Sequence, residues 1–69
     1  MKIMVCYNIG MNGGTASIDG DSILSVDSVT EDSLNLIRDR LIQYAKDDPK
    51  FSGYKIGNCV FRSVVHLEG

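Results

Sequence analysis

The stretch Ile9-Gly10-Met11-Asn12-Gly13-Gly14-Thr15-Ala16-Ser17-Ile18 decides the fold. Asn12-Gly13 is the strongest short-range hairpin signal, because a two-residue type I′ turn needs positive φ at both central positions. Centring the turn there sets Met11 opposite Gly14, Ile9 opposite Ala16, Tyr7 opposite Ile18 and Val5 opposite Gly20. Side chains alternate faces along a strand, so the pairing can be tested against the apolar pattern. Ile3, Val5, Tyr7 and Ile9 fall on one face of the first strand. Ala16, Ile18, Gly20, Ser22, Leu24 and Val26 fall on the same face of the second. Apolar meets apolar along most of that face.

Downstream of the hairpin the period changes from two to that of a helix. The helix begins near 28–30. Ser28 with Glu31 reads as a capping box, while Thr30 as N-cap would instead let Val29 staple onto Leu34. Leu34, Ile37, Leu41, Tyr44 and Ala45 form the apolar stripe, with Ile42 at its margin. Leu36 falls outside it and points to solvent or a partner. Asp47-Asp48-Pro49 ends the helix, since the residue before proline avoids the α region. A loop over 50–57 leads to a last strand over about 58–67. Cys59, Phe61, Val65 and Leu67 are placed on one face, and Val60, Arg62, Val64 and His66 on the other.

A strand–helix–strand crossover is right-handed and here spans the first strand. The expected fold is therefore α+β, in β-β-α-β order. A three-stranded antiparallel sheet of order 2-1-3 carries one helix on one face, and residues 1–69 form a single domain. At 69 residues the chain buries only about 60% of its unfolded surface. That leaves no room for a deep private active-site cavity.

One helix covers one side of the sheet. The other side is expected to show Met4 and Cys6 from the first strand with Val60 and Val64 from the third. A contiguous apolar strip of this kind is an interaction surface. A homo-oligomer through these four residues, or through the third strand's edge, is the expectation.

Net charge is −2, with 43% hydrophobic and 23% charged residues. The charges are split along the chain. No Lys or Arg lies between Ile3 and Ile37, whereas Arg38, Arg40, Lys46, Lys50, Lys55 and Arg62 follow. Overall acidity argues against duplex nucleic acid as a partner. No run approaches the ~18 apolar residues of a membrane span. The apolar N-terminal stretch is too short for a signal peptide, so the expectation is no membrane association and a cytoplasmic protein.

The motifs favour no catalytic chemistry. Gly10-Met11-Asn12-Gly13-Gly14 lacks the Gly-Lys-Ser/Thr ending of a phosphate loop. No local signature selects a Ser-His-Asp set around His66. Asp19-Gly20-Asp21 lacks the remaining ligands of a calcium loop. Cys6 and Cys59 have no paired spacing for zinc, so they are expected to be free thiols. No metal, no cofactor and no enzymatic activity are expected. One weak constellation remains. The hairpin tip, the helix C-terminus and the 50–57 loop share an end of the sheet and collect Asn12, Gly13, Lys46, Lys50, Tyr54 and Lys55, with Arg62 further along the last strand. Cations, a phenol and backbone amides suit a small nucleotide-like anion.

With these elements laid out, the chain resembles a family of short uncharacterised bacteriophage and prophage proteins. The matching stretches are 3–7, 13–18, 28–32 and 58–61. Ser63-Val64 departs from the polar-aromatic pair that the family pattern places there, which puts the last strand's surface in doubt. The resemblance implies a phage accessory protein in the host cytoplasm. Such a protein would bind and inhibit a host defence factor, its target a host protein or a nucleotide-like signal. The alternative is a structural or assembly module that only self-associates or pairs with another phage protein.

Overall fold

The computed structural model describes residues 1–67. Strands β1 (Lys2–Met11) and β2 (Ala16–Ser25) precede helix α1 (Glu31–Asp47), and β3 (Ile56–Leu67) follows it. The sheet is antiparallel with order β2-β1-β3, and the helix packs on one face. This is the β-β-α-β arrangement that the hairpin and crossover arguments lead to. Strands of ten to twelve residues at about 3.3 Å per residue run the whole 38 Å length of the molecule.

The hairpin turn is wider than the dipeptide suggests. Asn12 (φ 53°), Gly13 (φ 70°) and Gly14 (φ 95°) all take left-handed backbone, and Thr15 completes the connection. Its hydroxyl donates to the Asn12 carbonyl at 3.0 Å. Met11 therefore pairs with Ala16, Ile9 with Ile18, Tyr7 with Gly20 and Val5 with Ser22. The register differs by two residues from the two-residue-turn expectation. A slip of two preserves parity, so every side chain keeps its expected face.

Strand β3 carries a larger correction. Tyr7 pairs with Phe61 but Cys6 pairs with Ser63, so Arg62 is the extra residue of a β-bulge. A bulge inverts the alternation beyond it. Val64 then lies opposite Val5 and packs against the core, rather than on the open face. Val65, opposite Met4, takes the open position and is exposed. A second irregularity, between Ile9 and Met11, sets Ile56 opposite Met11 and against the core.

Thr30 caps α1. Its hydroxyl accepts from the Ser33 amide at 3.1 Å, and the Thr30 amide donates back to Ser33 Oγ at 2.9 Å. The capping box is Thr30–Ser33, not Ser28–Glu31. Val29 and Leu34 both pack on the core, which is the staple geometry. The core joins Ile3, Val5 and Ile9 of β1 to Ile37, Leu41 and Ala45 of α1 and Cys59 of β3.

Candidate functional site

Three rows of the helix explain what the surface offers. Residues four apart stack on one face. Ile37, Leu41 and Ala45 form the buried row. Leu34, Arg38 and Ile42 are half-buried on one flank. There the Arg38 guanidinium lies 5.1 Å from the Phe61 ring centroid and bonds Asn35 Oδ1 at 2.8 Å. Leu36, Arg40 and Tyr44 form the opposite flank. Leu36 is 63% and Tyr44 67% exposed. Tyr44 is thus no core residue, a correction to its place in the apolar stripe, while Leu36 is as free of the core as its spacing requires.

The helix backbone approaches β3 and stays away from β2. The helix-side face of β2 is therefore left as the floor of a trough. One part, about 670 Å³, is floored by Ser22, Leu24 and Val26 and walled by Leu36, Arg40 and Tyr44. A smaller hollow of about 270 Å³ continues towards the hairpin tip past Ile18, Tyr7 and Phe51, sharing Leu41 and Tyr44 with the first. Ile18, Leu24 and Val26 remain only half-buried. Beside this trough β2 is also a sheet edge. Spacing arguments pick out Leu36 but miss the trough, because nothing in a single chain's periodicity tells which side of a three-stranded sheet one helix favours.

The tip-end residues do meet, though in a different role. Asn12 and Lys55 clasp the tip to the loop. The Asn12 amide donates to the Lys55 carbonyl at 2.9 Å, and the Lys55 amide donates to Asn12 Oδ1 at 2.8 Å. The Asn12 backbone N–H is thus spent within the fold rather than offered to a phosphate oxygen. Lys50 sits 3.9 Å from Asp48 Oδ2 and 5.9 Å from the Phe51 ring centroid. Tyr54 meets the same ring edge-on at 6.1 Å. Gly13 has open space around it. Arg62 belongs elsewhere. From its bulge it reaches across the open face to Asp19 Oδ1 at 3.3 Å, an oxygen that also accepts from Asn8 Nδ2 at 2.9 Å. The candidate ligand residues do not form one site.

The open face carries Met4, Cys6 and Val60 as expected, with Val64 replaced by Val65. Ile23 of β2, 64% exposed, pairs with Met4 from the other side. The result is an apolar row, Ile23–Met4–Val65, across all three strands. Cys6 and Cys59 are free thiols on opposite faces of the sheet. Burial pushes the Cys59 thiol above its ordinary pKa, with Arg38 pulling weakly the other way. Burial likewise raises the Tyr7 phenol, helped by the nearby charges of Cys59 and Asp21.

Among the described residues no three His, Cys, Asp or Glu side chains gather as metal ligands would, and no helix is long and apolar enough to cross a membrane. Protein-family models, curated proteins and solved structures contain no match to this chain.

Proposed function

We propose that the chain is a non-catalytic accessory protein of the phage type that inhibits a host defence factor by binding it in the host cytoplasm. The phage context rests on the sequence resemblance. The observation that carries the binding reading is the trough between β2 and α1. Leu24 and Val26 on its floor, the Leu36–Arg40–Tyr44 wall and the polar rim of Asp27 and Asp32 match how protein surfaces take a segment of another protein, with an apolar centre, aromatic and Arg side chains at the contact and a polar rim. A protein target is favoured over a nucleotide-like one. Lys50 and Arg62 each have an acid beside them, and the Asn12 backbone N–H is spent on the Lys55 carbonyl.

The test is capture from host lysate on immobilised protein, with mass spectrometry of what is retained, alongside calorimetry with cyclic and linear nucleotides. Wild type should retain a specific host protein and Leu36→Lys should lose it while keeping the wild-type circular dichroism spectrum. Heat on nucleotide titration that Lys55→Ala abolishes would overturn the protein reading. The assembly-module alternative draws on the Ile23–Met4–Val65 row and the bare β2 edge. It predicts no host protein retained at all.

A further inference from the structure

We propose that two copies of this chain join through their β2 edges, antiparallel about a two-fold axis at Ile23, to make one six-stranded sheet with both helices on the same face. The first support is the direction of the backbone groups. The Met1 amino group donates to the Val26 carbonyl at 3.0 Å, and the Val26 amide donates to the Met1 carbonyl at 2.9 Å. Two residues that exchange both bonds are a hydrogen-bonded pair, and such pairs alternate along an antiparallel ladder. The β1–β2 register runs without a shift. The even-numbered residues of β2 therefore spend their N–H and C=O on β1. Asp19, Asp21, Ile23 and Ser25 aim theirs outward.

The second support is charge. Acidic side chains guard an edge strand against pairing, and Asp19 and Asp21 guard only the tip half of β2. Beyond them, up to Asp27 in the bend that follows, the edge is Ser22-Ile23-Leu24-Ser25, uncharged, with Ile23 mostly exposed. Charge also selects the register. An axis at Asp21 sets that carboxylate against its own copy, and an axis at Ser22 leaves the two Asp21 side chains diagonal neighbours. An axis at Ile23 sets Asp21 opposite the second copy's Ser25 and Ile23 opposite the second copy's Ile23. The acids this register brings together, Asp19 and the second copy's Asp27, lie at the ends of the pairing, Asp27 in the bend after β2 and Asp19 already paired with Arg62. Directly opposed apolar pairs stabilise a sheet, and like charges so placed destabilise it.

The third support is continuity. The Ile23–Met4–Val65 row of one copy meets that of the other, giving a single apolar row across six strands. On the helix side the two troughs merge into one cleft floored by both β2 strands. The dimer does not depend on the trough's occupant, so the two ideas stand or fall separately.

Light scattering on a sizing column at micromolar concentration tests this. Wild type should give twice the single-chain mass. Ile23→Asp and Ile23→Lys should each give the single-chain mass with an unchanged circular dichroism spectrum, because each places like charges face to face at the axis. Mixing the two variants should restore the doubled mass. A wild type that stays at one chain mass, an Ile23→Asp variant that stays dimeric, or a mixture that stays monomeric would overturn the proposal. So would an Ile23→Lys variant dimeric on its own, the result expected if position 23 faced Asp21. Leu36→Lys should leave the doubled mass intact even where it abolishes capture of a host protein.

Discussion

A β-carbon added at Gly20 would sit 2.7 Å from both Cζ and Oη of Tyr7. The Tyr7 ring crosses β2 at the one residue of that strand without a side chain. Gly20→Ala forces the phenol off the strand and should destabilise the fold by about 1–3 kcal/mol, read as a lower urea midpoint. An unchanged midpoint would mean the ring leaves its place at no cost. The same phenol and the Cys59 thiol both have raised pKa values. For an acid of this type the neutral form is favoured by folding. Its contribution is complete below the unfolded-state pKa and is lost as pH rises through the folded one. Stability should thus be level near neutrality and fall above about pH 9. Tyr7→Phe should soften the upper part of that decline, as urea midpoints measured along the pH series would report.

At the scale of elements, the sequence was most legible where one period runs without interruption. Strand order, the face of every residue in β1 and β2, and the buried helix row of Ile37, Leu41 and Ala45 all follow from alternation and i+4 stacking. The connection is longer than the Asn12-Gly13 dipeptide implies because Gly14 extends the left-handed run and Thr15 follows in right-handed backbone, yet the two-residue slip is invisible to face assignment. The bulge at Arg62 was not legible. Arg62, Ser63 and Val64 read as one more turn of strict alternation, and only the pairing of Cys6 with Ser63 exposes the inserted residue. It moves Val64 into the core and Val65 out. The same bulge turns Arg62 to Asp19 on the open face, whereas Lys50 and Tyr54 lie around Phe51 and Lys55 meets Asn12. Paired substitutions separate the two faces. Val64→Asp buries a carboxylate beside Val5 and should cost about 2–4 kcal/mol, whereas Val65→Asp should stay within about 1 kcal/mol. Equal losses in chemical denaturation would contradict the bulged register.

At the scale of the whole molecule, one helix cannot cover three long strands. The helix lies towards β3, Arg38 covers Phe61, and the remaining apolar surface gathers on the β2 side and along Ile23–Met4–Val65. A chain this small has little stability to spare, so anything that binds only the folded form raises its melting temperature by mass action. If the second copy is that ligand, the melting temperature depends on protein concentration. A hundredfold increase within the dimeric range contributes on the order of 1 kcal/mol per chain, which for a domain of this size shifts the midpoint by about 4–8 °C. Ile23→Lys alone should melt at one temperature across the same range, and its mixture with Ile23→Asp should regain the concentration dependence. A wild-type midpoint that does not move with concentration would mean that the β2 edge is left uncovered, and the stability of the fold would then have to come from the single chain's own core.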